Sequence, residues 1–410
     1  MKRLTKTWMR RLTVTQVLLL VLLAAPLVYA VSAVDAPAGF DNLTNGFESQ
    51  ANFDLDMANF DERELIDDGL GPVYNAQACA ECHQNPVSGA TSQITELRVG
   101  RFDGFTFTDR PGGSLINDRA INPAIQERVA GADNVATFRT SLNILGDGFV
   151  EALPDSFFTN TRNAQPSGRK GTIINVPVGE NNNVTRIARF GWKNQHASLL
   201  SFAADAYLNE MGITSPLQPT ENTSNGVSVA AYDTVADPED AGTVANPFGT
   251  DVEAFTRFMR STKPPGRDLA LINTPDVVAG ASLFTSIGCA SCHTASATTA
   301  PAGTSFNGGK FIVPAALGDK IIHPYSDFML HNVGTGDGIV QNGGSATRNM
   351  VRTPPLWGLR TRTRLIHDGE DITRNNAILF HTNEAEPVIQ NYINLSLTQQ
   401  NQLIAFLNSL

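Results

Sequence analysis

All four cysteines of the chain fall in two copies of one pattern, Cys79-Ala80-Glu81-Cys82-His83 and Cys289-Ala290-Ser291-Cys292-His293. Two thiols about one helical turn apart can each form a thioether to a vinyl group of the same haem. The histidine that follows is then carried under the porphyrin, where its imidazole can bind the iron. C-x-x-C-H is the attachment signature of c-type haem. Two other chemistries use C-x-x-C. A tetrahedral zinc site usually separates its two cysteine pairs by ~15–20 residues, whereas Cys82 and Cys289 lie 207 positions apart. A thiol–disulfide redox pair usually sits beside a βαβ pattern, and the chain has none. Neither alternative uses the adjoining His83 or His293. The two motifs therefore predict two covalently bound c-type haems, with His83 and His293 as iron ligands.

The compartment agrees with that chemistry. Lys2, Arg3, Lys6, Arg10 and Arg11 form a basic start, followed by an apolar run from Val17 to Val28. Small residues stand at possible cleavage positions, Val28-Tyr29-Ala30 or Val31-Ser32-Ala33. This pattern reads as a secretory signal peptide over residues 1–33, because the apolar run is shorter than the ~20 residues that span a bilayer. Attachment of c-type haem occurs outside the cytoplasm, so the expected location is the periplasm. The 410-residue chain has a formal net charge of -10, which argues against nucleic acid as a partner. With 41% hydrophobic residues it can bury a core, and with only 17% charged residues it is neither coiled coil nor charged disorder.

The haem motifs need elements to hold them. Thr274-Pro275 reads as an N-cap followed by proline at the first helical position, with Val277, Val278, Leu283 and Phe284 along the helix and Gly288 ending it before Cys289. At the end of the chain Ser396 and Gln399 form a candidate capping box. Leu403, Ile404, Phe406, Leu407 and Leu410 follow at helical spacing. In the first half, Tyr74 precedes Cys79 by five positions, as Phe284 precedes Cys289. A helix from Asp251 to Thr262 places Phe255, Phe258 and Met259 on one face. The breaker Lys263-Pro264-Pro265-Gly266 then reads as a linker. The expectation is a mostly α fold: two cytochrome c-like helical domains, 41–262 and 267–410, with long loops and few short strands. Thr214 to Thr250 and Thr294 to Gly309 read as loop insertions, and Gln93 to Val99 as a strand. Gly334 to Gly344, with five glycines and Asp337, reads as a turn region or as a loop that holds a cation through carbonyls.

In this order around the two motifs, several patches resemble the bacterial di-haem cytochrome c peroxidases and the related di-haem oxidoreductases, sometimes labelled thiol oxidoreductases. They are Gly71 to Cys79, Arg189 to Leu199, Asn209 to Ile213, Pro324 to His331, Arg352 to Leu359, and the closing His367-Asp368-Gly369. The resemblance implies two cytochrome c domains with haems near their interface. The second haem would store an electron and the first would bind and cleave hydrogen peroxide, or another small oxidant. It further implies a small redox donor protein, such as a monohaem cytochrome or a copper protein. A homodimer and, as in many relatives, a calcium ion between the domains are implied as well.

Site residues follow from the same resemblance. Glu210 matches the family's distal acid, and a carboxylate there can carry a proton from one peroxide oxygen to the other. Trp192 matches a tryptophan placed between the haems as an electron path. His196 stands close by, as a haem ligand, a proton-transfer aid or a structural histidine. The family's sixth ligand to the second haem lies four residues before His367, where this chain has Thr363. Candidates are therefore His331 first, Met329 next, then Met350, His323, His367 and His381. The leading expectation is an exported di-haem oxidoreductase of the peroxidase type; the alternative is an electron-transfer cytochrome without catalysis.

Overall fold

Ser49 accepts a hydrogen bond from the amide of Asn52 and starts helix α1, Gln50–Asp61. The computed structural model describes residues 32–237 and 241–410, so the segment read as a signal peptide lies outside the described residues up to position 31. Val34–Leu410 form one compact unit. Beyond α1, the helices are α2 (Cys79–Cys82), α3 (Asp147–Glu151), α4 (Asp155–Ala164), α5 (Leu199–Ala206), α6 (Thr250–Ser261), α7 (Pro275–Ser286), α8 (Arg374–Leu379), α9 (Glu386–Ile393) and α10 (Leu397–Leu407). None of them is long and apolar enough to cross a membrane.

The three helices anticipated in sequence are present. α6 buries Phe255, Phe258 and Met259. The Phe258 ring lies 5.4 Å from Phe53 and 4.7 Å from Phe60 of α1, so the aromatic stripe is what joins the two helices. Each ring taken from water contributes roughly 1.5–3 kcal/mol. α7 begins at Pro275 after Thr274, and Gly288, at φ 109°, turns the chain into Cys289. Ser396 and Gln399 form the capping box of α10. α7 and α10 cross at Gly280, where a Cβ would stand 2.0 Å from the Gln402 carbonyl oxygen. Only glycine lets the two backbones approach so closely. Phe284 and Phe406 close that contact with ring centroids 5.2 Å apart.

Helix accounts for 31% of the structure and strand for 14%, so most of the chain is loop. The strands outnumber the few expected, though most are two residues long and pin one loop to another. The longest, β1 (Thr95–Phe102), overlaps the anticipated strand from Thr95 to Val99 and pairs antiparallel with β2 (Val135–Thr140). Their register sets Glu96 opposite Arg139, and the two-residue period puts Arg98 on the same face as Glu96. β3 (Asn175–Val178) and β4 (Val184–Ile187) form a hairpin, and β5 (Leu330–His331) pairs with β6 (Val351–Arg352).

The larger core cluster gathers α1, α3, α5 and α6. It also takes Phe311, Val313, Phe328 and Trp357 from beyond Lys263–Gly266. A second cluster joins α7, α9 and α10 through Phe284, Tyr392 and Phe406.

Candidate haem sites

Cys79 opens the single-turn helix α2, which brings both sulfurs and the His83 ring to one cavity of about 470 Å³. The His83 Nδ1–H donates to the Ala90 carbonyl at 3.2 Å, which fixes the ring, and the Leu142 carbonyl is a further partner. The second motif repeats the arrangement. Cys289, Cys292 and His293 line another cavity, of about 200 Å³, and His293 Nδ1–H donates to the Tyr325 carbonyl at 3.0 Å. Phe284 and Tyr325 pack edge to face beside it. A metal-binding histidine is usually fixed in this way by a hydrogen bond from its other nitrogen.

Both motifs thus fit a haem held by two thioethers and one imidazole. The thiols are not activated. Burial raises Cys79 and pushes Cys82 and Cys289 up to about 12, the reverse of what a thiol–disulfide catalyst needs. Cys292, Asp327 and His331 could together offer ligands to a small cation, their donor atoms lying within 4.8 Å of one another. Thioether formation at Cys292 would remove the one thiolate from that set.

The first cavity is the polar one. Glu210 lies on a π-helical turn, Tyr207–Met211, that continues α5; single π turns of this kind are frequent at functional sites. The chain leading to Cys79 is sewn to this turn. Amides of Asn75 and Ala76 donate to the Glu210 carbonyl at 2.7 and 3.1 Å, and Gly71 donates to Met211 at 2.9 Å. Gly212 ends the turn at φ 69°, with its missing Cβ 2.5 Å from the Val73 carbonyl oxygen. The Asn75 side chain donates to Glu210 Oε2 at 2.9 Å, so the approach to the haem motif also positions the acid.

Glu210 has a second partner that sequence reading missed. Glu96 of β1 hydrogen-bonds to it through their side chains. Burial, then the neighbouring Glu96, raises Glu210 well above the usual carboxyl range. Burial pushes Glu96 the same way, but Arg98 and Arg139 prevail and hold it low. Arg98 grips Glu96 with two bonds, Nε to Oε1 at 2.6 Å and Nη2 to Oε2 at 3.0 Å. The pair therefore holds one proton between its members. The signal for Glu96 was its place two residues before Arg98 on a strand, which aligns the two side chains.

Arg139 extends this network away from the cavity. Its Nε and Nη2 donate to Asp337 Oδ2 at 2.9 and 2.6 Å. Lys193 Nζ reaches Asp337 Oδ1 at 3.3 Å and also donates to the carbonyls of Thr347, Arg348 and Met350. The acid of the glycine-rich loop is thus committed to two cations of the chain itself. Gln341 and Asn342 of the same loop line the first cavity.

Trp192 is 7% exposed and donates from Nε1 to the Thr140 carbonyl at 2.8 Å. Among the described residues it is the one that lines both cavities. His196 lines the first cavity, donates from Nε2 to Asp205 at 3.1 Å and stacks on Phe202.

His331 is held differently from the expected ligand role. Its Nε2 and Nδ1 donate to Asp327 at 2.8 Å and to Glu384 at 2.7 Å. Burial opposes its charge, but these carboxylates and the Cys292 contact push its pKa up to about 12. With both nitrogens engaged by carboxylates, it could ligate an iron only by giving up one of these bonds. Of the remaining candidates, Met329 packs in the larger core and His323 is an exposed partner of Asp35. Thr363, at the family's ligand position, accepts from Gln93 at 3.3 Å.

A family described as "Di-haem oxidoreductase, putative peroxidase" matches residues 117–410. No curated protein matches the chain in sequence. Among solved structures, a MauG-like protein associated with microbial copper homeostasis is similar at 17% identity and TM-score 0.41, over 94% of this chain and 95% of that one. Hydrazine synthase of Kuenenia stuttgartiensis aligns at 13% identity and TM-score 0.39, over 92% and 90%. The di-haem peroxidase BthA of Burkholderia thailandensis aligns at 13% and TM-score 0.34, over 77% and 94%.

Proposed function

The chain belongs to this di-haem oxidoreductase family, and from that premise we propose that it is an exported c-type cytochrome that reduces hydrogen peroxide in its first cavity. Its two haem units correspond to residues 41–262 and 267–410. Cys79, Cys82 and His83 hold one haem, and Cys289, Cys292 and His293 hold the other. When bound, these groups supply the iron that receives the oxidant and a second iron that stores an electron for it.

The observation that carries the reading is the unequal lining of two cavities that share Trp192. Only the first contains a carboxyl pair holding a proton, Glu210 with Glu96. Reduction of hydrogen peroxide to two waters takes up two electrons and two protons. Asn75 Nδ2 orients one oxygen of Glu210, and Glu96 faces the same carboxyl. Glu210, protonated within the pair, can then give its proton to the departing peroxide oxygen while the pair takes up the one released by the other oxygen, a role worth about 10²–10⁴ in rate. Glu96, held by Arg98, keeps that proton within the cavity. Trp192, which lines both chambers, is the proposed electron path. A small redox protein is the proposed donor.

Mixing the fully reduced protein with peroxide tests this. The ferrous bands are expected to bleach faster than in air, and Glu210→Gln to slow the bleaching. Equal rates would refute the acid–base role. Spectra unchanged by cyanide and carbon monoxide in every redox state would instead identify a pure electron carrier.

A further inference from the structure

A histidine can ligate iron when one nitrogen keeps a lone pair and the other is held by a hydrogen bond that fixes the ring. Four histidines line the second cavity: His293, His331, His367 and His381. His293 belongs to the attachment motif, and His331 has both nitrogens engaged by carboxylates. The position the family uses is a threonine. The choice of ligand opposite His293 therefore lies between His367 and His381.

His367 points its polar capacity elsewhere. Its Nε2 pairs with Thr137 Oγ1 at 3.2 Å, and its carbonyl accepts from the Thr140 amide at 2.7 Å. Its ring stands edge-on to Trp192, 6.2 Å between centroids. The nitrogen left over is Nδ1, the one crowded by its own backbone. His381 has the opposite arrangement. It follows α8, whose Ala377 and Ile378 also line the cavity, and its Nδ1–H donates to the Ala377 carbonyl at 2.8 Å. The carbonyls that hold the ring, Ala377 and Ile378, stand four and three residues back, and among the described residues no hydrogen bond engages the outer nitrogen, Nε2. His83 and His293 are held in the same sense, each by Nδ1–H to a backbone carbonyl.

We propose that Nε2 of His381 would supply the second imidazole ligand, with His293, to the iron of the second haem. The inference rests on the haem reading given above. Two imidazoles lower the potential relative to an imidazole–methionine pair. They also close that iron to small molecules and confine oxidant chemistry to the first cavity.

The test uses the full-length, haem-loaded protein. An alkaline pyridine spectrum first counts the haems; fewer than two would overturn the underlying haem reading, independently of the ligand. With two haems present, the reduced wild-type protein is expected to bind one carbon monoxide per chain, and low-temperature electron paramagnetic resonance to show one low-spin, two-imidazole iron. His381→Ala should raise carbon monoxide binding to two per chain and turn that signal high-spin, with exogenous imidazole restoring it. His381→Met, which keeps a ligand and hence the fold, should give an imidazole–thioether spectrum and a higher midpoint potential. Unchanged spin state and potential in both variants would overturn the proposal, as would opening of the second iron by His367→Ala.

Discussion

Glu96 and Glu210 reach each other from a strand and a π-helical turn, more than a hundred residues apart in sequence, and hydrogen-bond inside the first cavity. Two carboxyls in such contact cannot both be ionised cheaply. Arg98 decides which one gives up its proton.

The first prediction concerns pH. Glu210 is raised to about 8, so the peroxide reaction, if it needs the protonated pair, should decline as pH rises through that value. Glu96→Gln removes the neighbouring negative charge and should shift the decline to lower pH. Rapid mixing between pH 6 and 10 would show it, and an unmoved limb would exclude the coupling. Stability should follow the same sign. The unfolded chain ionises near the ordinary 4.5 while folded Glu210 stays protonated, so unfolding releases a proton and stability falls as pH rises toward 8.

A second prediction separates electron passage from haem binding. Trp192→Phe should leave both haem spectra intact and slow redistribution of an electron between the irons after partial reduction. Trp192→Ala should in addition destabilise the fold by about 3–5 kcal/mol, because the indole is nearly fully buried. Equal transfer rates in wild type and Trp192→Phe would remove the indole from the path.

Asp337→Asn should be costly without touching either haem. It leaves the buried Arg139 and Lys193 facing an uncharged amide. Breaking a buried ion pair from one side costs about 3–5 kcal/mol. Denaturant unfolding of the haem-loaded protein measures this; a loss below about 1 kcal/mol would mean that water already screens the cluster.

The crossing of α7 and α10 yields a local prediction. Gly280→Ala puts a methyl group into the Gln402 carbonyl and should cost about 1–3 kcal/mol. Because α7 leads into Cys289, attachment at the second motif should fall more than at the first, as intact mass of the isolated protein would show.

What sequence could reveal here was local chemistry and amphipathic spacing. The helix starts at Thr274 and Ser396 and the aromatic stripe of α6 depend on residues within a few positions of one another and stand as read, and the two C-x-x-C-H motifs are local in the same way. Trp192, Glu210 and Glu96 depend on long-range packing. The first two were reached only through resemblance, and Glu96 required the β1–β2 register. His331 misled for the same reason: its loop suits a ligand, but Asp327 and Glu384, the latter 53 positions away, take both of its nitrogens. Nothing local sets His381 apart from His323 and His367; the Ala377 carbonyl that accepts from its Nδ1 is placed only once α8 is formed.

Trp192 is the one described residue that lines both chambers, and its chain neighbour Lys193 shares the buried Asp337 with Arg139. If the haems occupy the two chambers as proposed, an electron passing between them has this shared residue as its doorway. Selection could therefore retune either metal, by exchanging the groups that surround it, without rewiring its companion.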